Sequence, residues 1–505
     1  MPLLTWINDK RARSAATEVP FHLLKKISSY GDEKAVKENL LIQGDNLLAL
    51  KALLPFYRGG VKCIYIDPPY NTGSAFEHYD DHLEHSQWLS MMYPRLVLLR
   101  EFLCETGTIW ITLDDREVHY AKVICDEIFD RKCFVSSVIW KSSDNSNNDE
   151  KKISTDHNEI LVYSKSEGWI SNKLNDPNKR AHFKNPDNDP NGPYFDGNPL
   201  NSPNYRENLI YDIVAPNGNI IKPPKNGWRW SKETLKDKLQ SGEIRFNNSM
   251  NGIFRRTYLK DMAGLPPSSL WVDHEETGHN RRAATEQKQL IKDSGQTPFK
   301  TPKPETLIKR IIEISTSQGD LVLDSFLGSG TTAAVAHKMR RKYIGVELGE
   351  HARTHCLPRL EKVIQGERGG VSAVVGWTGG GGFSFYELGP KVFDQFGSIN
   401  TNVDFETLAA YIWQKETNTV TVPSKSPYLG TTDEVSIFLL YNGVLGDKKP
   451  EAGNVLTPKI LRILEKEYPI SRQKIIYGEA VIGLSETELN KKGITFKQIP
   501  YDITE

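Results

Sequence analysis

The chain has 505 residues, so its hydrophobic core is expected to divide among two or three domains. Hydrophobic residues make up 38% and charged residues 25% of the sequence, a composition typical of globular proteins in water. The 64 basic residues balance the 64 acidic ones, so net charge neither indicates nor excludes a nucleic-acid partner. The sequence lacks both a membrane-spanning apolar run and the pattern of a secretion signal, which predicts a cytoplasmic protein without membrane contact.

The metal-binding residue types show no pattern that predicts a metal site. The five cysteines are scattered, odd in number and without C-x-x-C spacing, which indicates reduced thiols rather than disulfides or zinc ligands. His157, with Asp156 and Glu159 beside it, is interpreted as a structural residue. We therefore predict that the protein needs no metal.

Short apolar runs alternate with helical patterns in the first 140 residues. Leu40–Gln43 and Val61–Ile66 read as buried strands, and a helix is predicted around Trp88–Glu101. Residues 1–38 are expected to form helical cover. Strands that alternate with helices predict a mostly parallel α/β sheet.

The composition changes after residue 140 and changes back near residue 290. The segment 141–289 is rich in Asn, Pro, Gly and aromatic residues, and it reads as a domain inserted into the α/β domain. The predicted domains are therefore 1–140 and 290–370, which together form the α/β domain, the insertion 141–289, and a C-terminal region 371–505 of mixed α/β character.

A glycine loop lies between a strand and a helix, in the sequence Asp324-Ser-Phe-Leu-Gly-Ser-Gly-Thr-Thr. Gly328 and Gly330 allow a tight turn and close approach of a ligand to the backbone, and the helix that begins near Thr331 directs free N–H groups at it. A phosphate-binding P-loop would need Lys after Gly330, and a dinucleotide loop would need a third Gly where Ala333 stands. A loop for S-adenosylmethionine fits, with Glu347 at the end of the next strand as acceptor for the ribose hydroxyls; a tight turn without a ligand is the alternative.

The sequence Asp67-Pro68-Pro69-Tyr70 follows the predicted strand Val61–Ile66 and is much more specific. An exocyclic aromatic amine is a poor nucleophile because its lone pair is delocalised into the ring. The Asp67 carboxylate and the Pro68 carbonyl can accept its two hydrogens and hold the nitrogen in line for attack on a methyl group. Pro69 stiffens the loop, and Tyr70 offers a flat face for a base turned out of the helix. A strand-ending turn with a packed Tyr is the alternative interpretation.

Taken together, the motifs resemble those of the β-class DNA amino-methyltransferases, and especially the Mod subunits of type III restriction-modification systems. The resemblance covers residues from about 38 to 365, and residues after about 395 carry no recognisable motif. The motifs that carry it are LLIQGDNLLALKAL, VKCIYIDPPYNTG, WLSMMYPRLVLL, STDHNEILVYSK, GWRWSKETL, TPKPETLIKRII, LDSFLGSGTTAAVA and YIGVEL.

This resemblance implies a Rossmann-like methyltransferase sheet that is circularly permuted, because D-P-P-Y precedes the glycine loop, with a target-recognition domain at 141–289. It assigns catalysis to Asp67, Pro68, Pro69 and Tyr70. It assigns cofactor contacts to Asp45 at the adenine, Lys303 and Pro304 near the methionine end, and the group Asp324, Phe326, Gly328, Gly330, Thr331 and Glu347. It also allows a homodimer and a restriction (Res) subunit as partners.

The function that follows is transfer of a methyl group from S-adenosylmethionine to N6 of a flipped-out adenine in duplex DNA. Basic residues of the insertion are predicted to contact DNA, namely Arg229, Arg245, Arg255 and Arg256. An N4-cytosine or RNA amino-methyltransferase, or a DNA-recognition subunit of a larger complex, are the alternatives. A protein-glutamine methyltransferase would normally show N-P-P-Y, so Asp67 argues against it.

Overall fold

The structure is a computed structural model, in which the chain divides into two compact units. The sheet unit comprises residues 1–170 and 268–505, and the inserted unit comprises residues 171–267. The described residues are 3–71, 84–145, 151, 153–175, 180–197, 200–292, 297–393, 399–400, 403–417, 426–432, 435–468, 473–499 and 503. None of the helices in this described part of the chain is long and apolar enough to span a bilayer.

A ten-stranded sheet forms the centre of the sheet unit. Its strands are β1 (His22–Gly31), β2 (Leu40–Gln43), β3 (Val61–Ile66), β4 (Leu103–Leu113), β5 (Phe134–Trp140), β6 (Asn158–Ser164), β12 (Leu270–Trp271), β13 (Leu321–Asp324), β14 (Lys342–Glu347) and β15 (Gly382–Lys391). They lie side by side in the order β1-β15-β2-β14-β13-β3-β4-β6-β5-β12. Only β1 and β6 run against the direction of the other described strands, so the predicted mostly parallel α/β sheet is confirmed.

Helices cover the central sheet. Those before the insertion are α1 (Asp9–Glu18), α2 (Asn46–Tyr57), α3 (His85–Phe102) and α4 (Val118–Phe129). Those after it are α6 (His274–Thr277), α7 (Asn280–Ile291), α8 (Glu305–Ser315), α9 (Thr331–Lys338) and α10 (Leu357–Ile364), with a π-helix at Ala352–Cys356. Helices α1 to α4 share one hydrophobic core with the strands, while α8, α9 and α10 pack in sequence and α8 and α9 contact the central strands.

The inserted unit has its own small core. Its elements are β7 (Tyr194–Gly197), β8 (Ile213–Val214), β9 (Ile220–Ile221), α5 (Lys232–Gln240), β10 (Ile244–Phe246) and β11 (Ile253–Tyr258). Strands β10, β11 and β7 form an antiparallel sheet, and Trp228, Leu235 and Ile244 are buried in the core beside it.

The C-terminal part of the sheet unit contains further helices and strands. These elements are α11 (Phe405–Thr417), β16 (Tyr428–Thr432), β17 (Val435–Leu439), β18 (Val455–Leu456), α12 (Pro458–Glu467), β19 (Gln473–Gly478), β20 (Ala480–Val481), α13 (Glu486–Lys491) and β21 (Ile494–Gln498). Their strands form a second sheet, in the order β16-β17-β19-β21, and a two-stranded pair, β18-β20. The predicted mixed α/β character of this region is therefore present.

Three boundaries differ from the sequence-based expectation. The expected helical cover over residues 1–38 contains α1 but also β1, which is held at the sheet edge by antiparallel pairing with β15. The compact inserted unit is shorter at both ends than the predicted domain 141–289, because β6 pairs with β4 and β5 and β12 pairs with β5. The central sheet also extends beyond residue 370, because β15 pairs with β2.

Candidate functional site

The loop after β3 is fixed by hydrogen bonds at both ends. Asp67 follows the strand directly, and its Oδ1 accepts a hydrogen bond of 2.5 Å from the hydroxyl of Tyr70. The Nζ of Lys303 forms an ion pair with Oδ2 of the same carboxylate. The carbonyl of Pro69 accepts a hydrogen bond of 2.7 Å from the indole N–H of Trp88. Burial, and next the nearby Asp67 charge, hold the pKa of Tyr70 well above its ordinary value, so its hydroxyl stays protonated as a donor.

The loop after β13 takes a backbone conformation that requires glycine. Gly328 has φ of +57° and Gly330 has φ of +80°, both in the left-handed region. A Cβ on Gly328 would lie 3.2 Å from the ring of Phe299, so even a small side chain would need its neighbours to move. Gly330 is the N-cap of α9, so the first N–H groups of that helix point toward the loop. The Oε2 of Glu347 accepts the N–H of Gly328 at 2.7 Å.

The two loops lie at the same edge of the sheet. Strands β3 and β13 are parallel neighbours, with Cys63 opposite Val322 and Ile64 opposite Leu323. The carboxyl ends of adjacent parallel strands meet at one edge, which is where ligands bind in open α/β sheets. The predicted catalytic loop and the predicted cofactor loop are therefore neighbours.

Both loops line one cavity of about 870 Å³ in the sheet unit. Most of the predicted site residues contribute to its wall, namely Asp67, Pro68, Pro69, Tyr70, Lys303, Asp324, Phe326, Gly328, Thr331 and Glu347. The sequence did not reveal the contribution of the segment 297–300, which contains Phe299, or of His351 and His355. The position of this segment directly before the T-P-K-P motif was the one available signal, and it carries no spacing rule.

The cavity carries more carboxyl groups than ammonium groups. Its wall includes the acids Asp67, Asp114, Asp324, Glu347 and Glu350 and the lysines Lys300 and Lys303. Burial, assisted by the charges of Asp67 and Glu347, raises the pKa of Asp324 to about 7. Burial also raises the pKa of Glu347 to about 7, against the effect of the backbone N–H groups that it accepts.

These features fit S-adenosylmethionine. The volume lies within the roughly 300–1,000 Å³ of typical small-molecule sites. An excess of carboxyl groups suits a ligand with a positively charged sulfur, and Glu347 offers a buried acceptor next to the glycine loop. The residues that would hold this cofactor are Lys303, Asp324, Phe326, Gly328, Thr331 and Glu347.

Three predicted cofactor residues do not line the cavity. The side chain of Asp45 caps α2 by accepting the N–H groups of Leu47 and Leu48, and it pairs with Arg95 at 3.0 Å. Pro304 is the N-cap residue of α8, and Gly330 acts through the turn into α9. Their direct contact with a cofactor stays a prediction, and the structure gives each of them a role in the local backbone.

The four predicted DNA-contacting arginines belong to the inserted unit and differ in accessibility. Arg256 is 7% exposed, lies over the ring of Tyr194, and pairs with Asp196 at 2.8 Å and with Asp187 and Asp189 at 3.2 Å. This burial argues against the predicted contact with DNA and indicates a structural role.

The other three arginines have more accessible side chains. Arg255 pairs with Glu243 at 2.8 Å and Arg245 lies 3.6 Å from Asp189, and their side chains are 37% and 38% exposed. The side chain of Arg229 is exposed beside the ring of Trp230. Contact of these three with DNA stays a prediction.

One group of side chains among the described residues has the spacing of metal ligands. Asp115, His157 and Glu159 offer atoms within 4.8 Å of one another, and Glu159 also accepts a hydrogen bond of 2.5 Å from Ser137. Exposed acidic groups commonly approach one another without an ion, so the expectation that no metal is needed stays a prediction.

Comparison with known proteins gives the family. Residues 61–356 match the family model N6_N4_Mtase, which is described as DNA methylase. The chain belongs to this family. The matched range contains both loops of the cavity and the whole inserted unit.

The chain is also similar to individual proteins. The chain is 32% identical over 335 residues to the Mod subunit of the StyLTI type III restriction-modification enzyme of Salmonella typhimurium, covering 60% of this chain and 50% of the relative. It is 31% identical over 326 residues to the type II methyltransferase M.EcaI of Enterobacter cloacae, covering 63% of this chain and 68% of the relative. The solved PvuII DNA methyltransferase (cytosine-N4-specific) shares 16% identity at a TM-score of 0.37, covering 64% of this chain and 86% of that one. The chain spans about half the length of the StyLTI subunit.

Proposed function

We propose that this chain transfers a methyl group from S-adenosylmethionine to N6 of adenine in duplex DNA. The observation that carries the proposal is that Asp67 and the loop of Gly328 open into one cavity from adjacent strand ends. A group that binds the target amine and a group that binds the methyl donor can support methyl transfer only when both line the same cavity. Membership of the DNA methylase family supports the same chemistry.

The cofactor half of the cavity has the groups that the reaction needs. When bound, S-adenosylmethionine supplies a methyl group on a positively charged sulfur. The loop of Gly328 allows close approach of the backbone, and the ionised carboxylate of Glu347 can accept two ribose hydroxyls. The carboxyl groups of Asp324 and Asp67 favour a cation in the cavity.

The amine half is built on the loop after β3. Asp67 and the carbonyl of Pro68 accept the two hydrogens of the target amine, which directs the nitrogen lone pair at the methyl group. The hydrogen bond from Tyr70 fixes the orientation of the Asp67 carboxylate, and the bond from Trp88 to Pro69 fixes the loop behind it. The ring of Tyr70 supplies the surface on which the base stacks. The methylated nitrogen then loses one proton to solvent.

A base inside a duplex cannot reach this cavity, so the target must be turned out of the helix at a cost of a few kcal/mol. We assign recognition of the DNA to the inserted unit, with Arg229, Arg245 and Arg255 as contacts to phosphates or bases. Each phosphate contact made by a Lys or Arg makes affinity more dependent on salt.

Adenine is favoured over cytosine because the loop reads D-P-P-Y. Among the amino-methyltransferases that this chain resembles, D-P-P-Y is commoner in adenine enzymes and S-P-P-Y in N4-cytosine enzymes. The likeness to the Mod subunit of a restriction-modification enzyme supports a place in such a system. A Res subunit, a homodimer and a cytoplasmic location stay predictions from the sequence. An N4-cytosine product is the second outcome, because the family model covers both amines.

Methyl transfer to duplex DNA with tritiated cofactor tests the proposal. We expect the purified full chain to label DNA, and Asp67→Ala to abolish labelling while its affinity for S-adenosylhomocysteine stays within a few-fold of wild type. Glu33→Ala, which removes an exposed carboxylate outside the cavity wall, is the control and should label normally. Labelling by the Asp67→Ala variant at the wild-type rate would disprove the catalytic role.

A further inference from the structure

Lys303 forms an ion pair with the carboxylate of Asp67, which the proposed reaction needs as acceptor for the target amine. It is 8% exposed, it lies in the wall of the cavity, and its Nζ forms an ion pair with Oδ2 of Asp67. The other carboxylate oxygen, Oδ1, accepts the hydroxyl of Tyr70 at 2.5 Å. Both oxygens of Asp67 are therefore engaged before any base enters.

This arrangement opposes methyl transfer in two ways. The ammonium group competes with the target amine for the oxygen of Asp67. It also places a positive charge next to a nitrogen that becomes positively charged as it attacks the methyl group. Lys303 must therefore leave Oδ2 before the reaction can proceed.

A buried lysine leaves a carboxylate readily only when another anion is within reach, because an unpaired buried charge is costly. The other buried carboxyl groups of the cavity are poor substitutes. Asp324 and Glu347 already accept backbone N–H groups at 2.9 and 2.7 Å, and burial raises the pKa of each to about 7. The methionine portion of the cofactor, in contrast, brings a carboxylate of its own.

We propose that Lys303 is a positioning residue that moves from Asp67 to the carboxylate of the cofactor, and so frees Asp67 to accept the target amine only after the methyl donor has bound. This inference rests on the proposed function. Under this proposal, Asp67 binds the target base only after the cofactor has bound. A base would therefore not be held tightly in a site that has no methyl group to give.

The proposed movement of Lys303 predicts that Asp67 affects the binding of the amino-acid portion of the ligand and not of its nucleoside portion. In wild type, cofactor binding must break the pair between Lys303 and Asp67. In Asp67→Asn the lysine has no charged partner to leave, so we expect at least threefold tighter binding of S-adenosylhomocysteine. 5′-Methylthioadenosine lacks the amino-acid portion, so its affinity should change less than twofold.

Isothermal titration of the full chain with these two ligands tests the inference. Lys303→Met should weaken S-adenosylhomocysteine and leave 5′-methylthioadenosine unchanged, and adding Asp67→Asn to it should no longer tighten binding. Retained affinity for 5′-methylthioadenosine shows that a variant is folded. If Lys303→Met does not fold, the comparison of wild type with Asp67→Asn decides by itself.

The inference is overturned if Asp67→Asn changes the affinities for both ligands by the same factor, or if folded Lys303→Met binds S-adenosylhomocysteine like wild type. Failure of the proposed function looks different, because wild type would then bind neither ligand or would leave DNA unmethylated. A merely structural pair would change folding or overall affinity, and it would not change the ratio between the two ligands.

Discussion

Lowering the pH from 8 to 6 should weaken cofactor binding through Glu347. The pKa of this buried carboxyl is raised from 4.5 to about 7 before the cofactor binds. A carboxyl with a raised pKa is protonated below that value and ionises as the pH rises through it. Because a ribose is best accepted by the ionised form, binding should release protons near pH 7 and strengthen toward pH 8.

The size of the effect follows from the fraction ionised. With a pKa of about 7, roughly nine tenths of Glu347 is ionised at pH 8 and roughly one tenth at pH 6. Affinity should therefore fall about tenfold over this range, which is about 1.4 kcal/mol. The pKa of Asp324 is also raised to about 7, so any contribution from it has the same sign. With an ordinary pKa of 4.5, Glu347 would be almost fully ionised at both pH values and would contribute almost nothing.

Isothermal titration with S-adenosylhomocysteine at pH 6, 7 and 8, in buffers with different ionisation enthalpies, measures both the affinity and the proton release. Glu347→Gln should bind S-adenosylhomocysteine more weakly than wild type at pH 8. It should also lose the tenfold fall in affinity between pH 8 and pH 6. Glu350→Gln makes the same chemical change at an exposed carboxylate of the cavity wall, and it should keep the dependence. An affinity that is constant between pH 6 and 8, or an unchanged slope in Glu347→Gln, would refute the reasoning.

Three further pairs of variants test separate parts of the protein. Gly328→Val should abolish cofactor binding in titrations, because the φ of +57° at this position and the nearby Phe299 leave no room for a branched side chain. Gly319→Val makes the same change at an open turn with positive φ, and this control should still bind the cofactor. Tyr70→Phe should slow methylation about tenfold, because it loses the hydrogen bond to the charged carboxylate of Asp67. Tyr70→Ala should slow methylation further, because the base also loses the ring on which it stacks. Equal rates for the two variants would contradict a role for the ring. Arg256→Ala should destabilise the inserted unit, because Arg256 is buried and pairs with three carboxylates, and the loss should appear as faster proteolysis of this unit. Arg229→Ala should leave the unit stable and weaken DNA binding in filter-binding assays. The reverse pattern would show that the roles of the two arginines had been assigned wrongly.

Local patterns in the sequence were enough to locate the two loops that line the cavity. The strands β2 and β3 have the predicted bounds, because continuous apolar runs ended by Gly or Pro mark buried parallel strands. Glycine spacing located the positive φ angles of Gly328 and Gly330. The meeting of the two loops then follows from the parallel order of β3 and β13.

Features that depend on distant partners were not visible in the sequence. Strand β1 forms because β15 lies beside it, more than 350 residues further along the chain. The inserted unit is shorter than predicted because β6 and β12 pair with the central sheet, although the surrounding composition is polar. Arg256 resembled a DNA contact until its three carboxylate partners, all more than 50 residues away in sequence, were in place.

The nature of the modified base tests the central proposal most directly. The chain would be expressed in a methylation-deficient host, and the nucleosides of its DNA would be measured by mass spectrometry beside those from the Asp67→Ala variant. The proposed function predicts N6-methyladenine in the wild-type sample and none in the variant sample. DNA without a new methylated base, or equal amounts from wild type and Asp67→Ala, would contradict it; N4-methylcytosine that depends on Asp67 would keep the mechanism and change the substrate.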